Sequence, residues 1–353
     1  MLTKILSEDL VQQANHLLNR AHTVAILSHQ GPDGDALGSS LALADFLHHQ
    51  GKHVQVIYPD PFPEFLRFLP GSDKALIYTL QPKACEVFLN NADVICCLDF
   101  NQLKRMGKLG EIVANSSAKR IMMDHHPEPD TFADVQISYP QLSSTSEIVF
   151  RYICRSGSFD EMTKECAECA YTGMMTDTGA FTYNSNNAEM YFIISQLIQK
   201  GVDKDGIYNK VFNNWSADRM RLMGFVLNHR MKLFPEHKTA ILSLSLDNLK
   251  DFKFQYGDTE GFVNYGLSIV GVRMSAFFME DLYDDFMLWA PLNNRKLMGR
   301  NKFITSLEFK IKRKDTKDRR GVVFPRIKLL TPEIEIDEIY NPPKTKKSPK
   351  RYL

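Results

Sequence analysis

The stretch SHQGPDGDALGS, residues 28 to 39, sets His29, Asp33 and Asp35 within seven positions at the end of an apolar run. Taken singly, such a histidine is a capping or turn residue more often than a ligand, and Asp33 between Pro32 and Gly34 has ordinary turn composition. Three further stations repeat the arrangement. Asp99 closes DVICCLDF (93 to 100), Asp124, His125 and His126 close RIMMDHH, and Asp177 follows an apolar segment in MMTDTGAF. Four acidic or imidazole clusters, each just past buried sequence, are poorly explained by surface solvation. Divalent ions of the manganese type accept carboxylate and imidazole together. A pair of them about 3.5–4 Å apart serves hydrolysis of phosphate esters, one lowering the pKa of a shared water and both neutralising phosphoryl oxygens.

These stations need a scaffold. Short apolar runs at 23 to 28, 53 to 58, 93 to 100, 120 to 125 and 133 to 138 alternate with helix-like stretches over the first 140 residues. That alternation predicts an α/β domain with a parallel, five-stranded, doubly wound sheet. Between the first two runs, Leu37, Leu41, Ala44 and Leu47 share a helical face, Gly51 offers the stop, and Gly38 lets the helix pack close to a strand. The candidate ligands then fall at the carboxyl ends of strands, the edge at which open parallel sheets bind ligands.

From Ser143 to Phe234 the pattern is helical in successive segments, the last running from Asn214 to Phe234. TAILSLSL (239 to 246) and GLSIVGVRMSAFFME (266 to 280) read as strands of a second sheet. The expected organisation is a catalytic domain over 1–190, a helical linker over 191–235, a smaller α/β domain over 236–310 and a charged tail over 311–353. The tail's charge blocks and prolines predict an irregular end.

Composition narrows the function classes. With Lys+Arg 43 against Asp+Glu 42, the net charge of +1 excludes a global field for nucleic acid or anionic lipid. Six cysteines in 353 residues are too few for a disulfide framework, which predicts a cytoplasmic protein. No secretory signal and no membrane-spanning run is evident. The Cys166-x-x-Cys169 pair lacks a second pair at zinc spacing and reads as packing. Ser144, Thr145, Ser146 and Glu147 form a helix N-terminus of the capping type, and such a terminus can also bind phosphate. Arg105, six residues past Asp99, could grip a substrate phosphate or be a solvated helix charge.

Together, His29-Gln-Gly-Pro-Asp33-Gly-Asp35, Asp99, Asp124-His125-His126 and Asp177 resemble the four motifs of the DHH phosphoesterase superfamily. The layout is most similar to its nanoRNase and phosphoadenosine-phosphate phosphatase subgroup, in which a DHHA1 domain follows the DHH domain. The resemblance spans roughly residues 1 to 280 and includes motif order and spacing. It implies two Mn²⁺ ions, with Mg²⁺ or Co²⁺ as alternatives. His29, Asp33 and Asp99 would hold one ion, Asp35, Asp99, His125 and Asp177 the other, with Asp99 bridging. It further implies that His126 contacts the scissile phosphate and assists proton transfer, that Asp124 orients its neighbours, and that water between the ions is the nucleophile. The implied substrate is a short oligonucleotide, a linear dinucleotide or 3′-phosphoadenosine 5′-phosphate, and the implied assembly a homodimer.

The sequence departs from that pattern after about residue 286. The subgroup's Ser-Leu-Arg-Ser segment and GGGH loop are missing, and no histidine follows His237. Arg295, Lys296, Arg300 and Lys302 are substitute phosphate contacts only by composition, and the basic run from Lys310 to Arg320 reads as a solvated charge run. Three other readings stay open: an inorganic pyrophosphatase-like enzyme, a single-strand exonuclease of the same superfamily, and a nucleotide-binding protein without turnover.

Overall fold

The computed structural model describes residues 4–255, 257–259, 261–279 and 322–323 of the 353. Contacts divide the chain into two compact units, Met1–Asn214 and Trp215–Leu353. In chain order the first unit contains α1 (Glu8–Arg20), β1 (Thr23–Leu27), α2 (Gly34–His49), β2 (His53–Tyr58), β3 (Leu76–Ile77), α3 (Pro82–Asn90) and β4 (Val94–Leu98). It continues with α4 (Lys108–Asn115), β5 (Lys119–Asp124), β6 (Val135–Ser138), α5 (Thr145–Arg155), α6 (Lys164–Asp177), α7 (Ala188–Gln199) and α8 (Lys204–Phe212).

All strands of this unit pair in parallel, in the order β3-β2-β1-β4-β5-β6. The sheet has six strands rather than the expected five. The extra one, β3, is two residues long at an edge and too short to leave a periodic signal. Residues of β1 and β4 alternate between two cores. Val24, Ile26, Val94, Cys96 and Leu98 face α1, α2, α5 and α6, while Ala25, Leu27, Ile95 and Cys97 face α3 and α4. Successive side chains of a strand point to opposite faces, so the adjacent Cys96 and Cys97 enter different cores.

α2 is capped by Asp33, whose Oδ1 accepts the Asp35 and Ala36 amides at 3.0 Å each, and it ends before Gly51, which adopts φ 78°. Its N-terminal half is buried all round. Small residues allow this: a methyl on Gly38 would come within 2.7 Å of the Cys169 carbonyl and the Gly173 backbone. Gly38 therefore packs against helix α6, not against a strand as expected. α6 carries Cys166 and Cys169 inside the core, both as free thiols whose pKa burial pushes up. Met190, Ile193 and Leu197 of α7 and Ile207 and Val211 of α8 join the same core.

The second unit contains α9 (Ala217–Phe225), β7 (Lys232–Phe234), β8 (Thr239–Leu244), α10 (Leu246–Asp251), α11 (Phe262–Leu267), β9 (Met274–Met279) and β10 (Val322–Val323). Its sheet runs β10-β9-β8-β7, with β7 antiparallel to β8 and the other pairs parallel. Two expectations need correction. The helix expected to run to Phe234 gives way after residue 230 to β7, which pairs with β8. The strand expected over 266 to 280 begins only at Met274, because Phe262, Val263 and Gly266 bury a helical face on β8 and β9. The 280–321 stretch, Arg295, Lys296, Arg300, Lys302 and the terminal tail lie outside the described residues. No helix among the described residues is long and apolar enough to cross a membrane.

Candidate metal centre

The strand order of the first unit reverses direction between β1 and β4, which lie side by side while β2 continues from β1 on the other flank. Loops leaving the carboxyl ends of two such strands diverge and open a crevice. His29 leaves β1 and Asp99 follows β4 directly. Asp124 ends β5, with His125 and His126 next. Asp33 and Asp35 come from the N-terminus of α2, and Asp177 from the C-terminus of α6. Asp99 itself has φ 65°, a left-handed conformation costing a non-glycine residue roughly 1–2 kcal/mol. Strain of this kind is characteristic of residues that a functional site holds in place.

Three overlapping donor groups result: His29, Asp33 and Asp99; Asp35, His125 and Asp177; and Asp99, His125 and His126. His29 Nε2 lies 3.3 Å from Asp99 Oδ2 and 4.0 Å from Asp33 Oδ2. His125 Nε2 lies 3.7 Å from Asp99 Oδ1, 3.6 Å from Asp177 Oδ2 and 4.0 Å from Asp35 Oδ2. Nitrogen and oxygen ligands sit about 2.0–2.2 Å from a first-row ion, which separates neighbouring donors by about 3–4 Å. The donor set fits a divalent ion on each side of Asp99, whose two oxygens face different groups.

Neighbouring groups orient these ligands. His29 Nδ1 donates to the Gln30 carbonyl at 2.9 Å, which turns Nε2 toward the carboxylates. Fully buried Asp124 takes His126 Nδ1 at 2.7 Å and the His126 amide at 3.1 Å. His126 Nδ1 also lies 3.8 Å from Asp99 Oδ1.

The N-terminus of α5 has a function that residue types alone did not reveal. The Thr145 amide donates to Asp35 Oδ2 at 2.7 Å and the Ser146 amide to Asp35 Oδ1 at 2.9 Å. The Thr145 hydroxyl donates to Asp99 Oδ1 at 2.9 Å. The amides that could have bound a phosphate are thus spent on a candidate ligand, whose charge the helix dipole favours. Ser144 caps α5 through the Glu147 amide. Glu147 in turn accepts from Ser143 and from Arg151, which also reaches Glu189 of α7 at 2.9 Å. The capping signature was visible in the sequence; its carboxylate partners lie in other motifs.

The electrostatics of this crowding are uneven. Burial pushes Asp35 well above the usual carboxylate range, and the charges of Asp99 and Asp177 add to the effect. Asp177 is raised likewise by burial, then by Asp99 and Asp33. For Asp99, burial works upward, but its hydrogen bond to His29 and the charges of His126, His29 and His125 hold it well below that range. Burial would lower His29, yet Asp99 and Asp33 raise it. Divalent ions would relieve this repulsion.

Arg105 lies beside the cluster rather than in it. Its carbonyl accepts the Gln30 amide at 2.8 Å, tying its loop to that of His29, and its Nη1 lies 3.5 Å from the Asp99 carbonyl.

Histidines and aspartates gathered at the switch point of a doubly wound sheet form a donor set that could hold divalent ions, and comparison supplies the class of protein. Residues 23–174 match the DHH family, N-terminal domain. A solved structure of an exopolyphosphatase-related protein from Bacteroides fragilis is 51% identical, covering 79% of this chain and 82% of that one with TM-score 0.77. The bifunctional oligoribonuclease and PAP phosphatase NrnA of Bacillus subtilis is 24% identical over 263 residues, 73% of this chain and 78% of the relative. The NrnA of Thermus thermophilus is 30% identical over 207 residues, 58% of each. The chain belongs to the DHH family of phosphoesterases, and two of the curated relatives it resembles are named as oligoribonuclease and PAP phosphatase.

Proposed function

We propose that the protein is a divalent-metal-dependent phosphoesterase, Mn²⁺ being the favoured ion, acting on short oligonucleotides or linear dinucleotides to release mononucleotides, and on 3′-phosphoadenosine 5′-phosphate. The observation that carries the reading is Asp99, one oxygen toward His29 and the other toward His125. The names of the NrnA relatives support the substrate class.

In this reading His29, Asp33 and Asp99 hold one ion and Asp35, Asp99, His125 and Asp177 the other. Bound there, the ions would supply Lewis acidity, offsetting phosphoryl charge and lowering the pKa of water. The remaining work falls to side chains. With Nδ1 engaged by Asp124, His126 has Nε2 left to face the scissile phosphate and pass a proton to the departing sugar oxygen. Arg105 would bind a non-bridging phosphate oxygen. Water supplies the oxygen that bonds to phosphorus as the bond to the sugar oxygen breaks, so no covalent enzyme intermediate arises.

The test uses metal-free protein, restored with Mn²⁺, Mg²⁺ or Co²⁺, against diadenylate, diguanylate, phosphoadenosine phosphate, pyrophosphate and inorganic polyphosphate, with Asp99→Ala as control. Mononucleotide release by wild type alone supports the proposal. Turnover of pyrophosphate or polyphosphate only would transfer the assignment to an inorganic substrate. Tight nucleotide binding without product would make the protein a binder.

A further inference from the structure

Asp99 is asked to serve two donor groups at once, and a carboxylate can do so only if its plane is held. The terminal torsion of an aspartate is broad and two-fold, so the side chain has little preference of its own. Its Oδ2 faces His29 Nε2 at 3.3 Å. Its Oδ1 is 3.7 Å from His125 and 3.8 Å from His126, too far for a hydrogen bond, and accepts one only from the Thr145 hydroxyl at 2.9 Å among the described contacts.

Thr145 is fully buried at the first residue of α5, and its own amide holds Asp35 Oδ2. One residue therefore grips Asp99, common to two of the donor groups, and Asp35 of the third. The β-branched side chain stiffens this link, because few rotamers are open to it in a helix. A valine would keep the shape and the backbone bond to Asp35 but lose the hydroxyl donor. A serine would keep the donor.

We infer that Thr145 is a positioning residue that sets the plane of the Asp99 carboxylate, so that its two oxygens serve different ions and the second ion binds tightly. The inference rests on reading the site as a two-ion centre. Removing an outer partner of a metal ligand costs about 10- to 100-fold in metal affinity.

The experiment is titration of metal-free protein with Mn²⁺ by calorimetry, with electron paramagnetic resonance to detect exchange coupling between paired ions. Wild type is expected to bind two ions with a coupled signal. Thr145→Val is expected to weaken the second ion about 10- to 100-fold and lose the coupled signal, with Thr145→Ser restoring both to within about threefold. Thr145→Ala removes the donor without adding bulk and serves if the valine variant misfolds. A Thr145→Val or Thr145→Ala protein that binds both ions with wild-type affinity and coupling overturns the inference, even if its metal-free melting temperature falls. Wild type binding fewer than two ions would instead overturn the two-ion reading.

Discussion

A methyl group on Gly38 would lie 2.7 Å from the backbone of Gly173, so α2 and α6 meet backbone to backbone beside the candidate metal centre. The contact sets Asp35, at the start of one helix, near Asp177, at the end of the other. Gly38→Ala is expected to destabilise the protein by about 1–3 kcal/mol through overpacking. Urea unfolding of the metal-free variant measures this, and a change below about 0.5 kcal/mol would contradict so close a contact.

Asp99→Ala removes the carboxylate common to both proposed ion sites. Loss of the charge stabilisation that depends on it should reduce kcat by on the order of 10³-fold or more, together with a fall in Mn²⁺ stoichiometry. Steady-state kinetics beside metal titration separates this from unfolding, which would also abolish the circular dichroism signal.

The metal-free protein should lose stability as pH rises above about 4. Asp35 and Asp177 are raised above their ordinary value of 3.8, so the fold retains protons that the unfolded chain has released. His29 acts in the same direction, since its raised pKa gives stability below 6.5 that is lost as pH rises through the folded value. Asp99 is lowered and matters only under acid conditions, where its contribution disappears as pH falls through its folded pKa. Ions compete with protons for these ligands, so Mn²⁺ should raise the melting temperature more at about pH 7.5 than at about pH 5.5. Melting curves with chelator and with Mn²⁺ at both values test the sign; a larger rise under acid conditions would refute it.

Arg151 is buried between Glu147 and Glu189. Arg151→Met leaves the buried Glu147 without its cationic partner and should cost about 3–5 kcal/mol. Adding Glu147→Gln should recover part of that loss. A double-mutant cycle by denaturant unfolding measures both, and additive costs would show that the pair is not coupled.

Arg105→Ala should raise KM for a dinucleotide about 10-fold or more, the worth of a charge-assisted hydrogen bond, while Mn²⁺ binding stays unchanged. The Gln30 tether uses the Arg105 carbonyl and survives the substitution. An unchanged KM would leave the residue a loop anchor only.

The second unit shows where local pattern misleads. In GLSIVGVRMSAFFME the apolar residues suit a strand, yet Gly266 and Leu267 close α11, with Gly266 packed closely on Ser275, and the strand begins only at Met274. The two-residue β3 left no period to read, and the turn after residue 230 depends on pairing with β8. Such features are set by partners distant in sequence.

The sequence by itself determined the alternation of strand and helix in the first unit, since apolar periodicity is local, and the motif residues, since their chemistry is carried by residue type. Tertiary structure decided which carboxylates share a donor group, that Asp99 stands at φ 65°, and that α5 turns its first amides on Asp35, 110 positions away. Those contacts arise only when strands order themselves and helices pack, and no window of neighbouring residues encodes that arrangement.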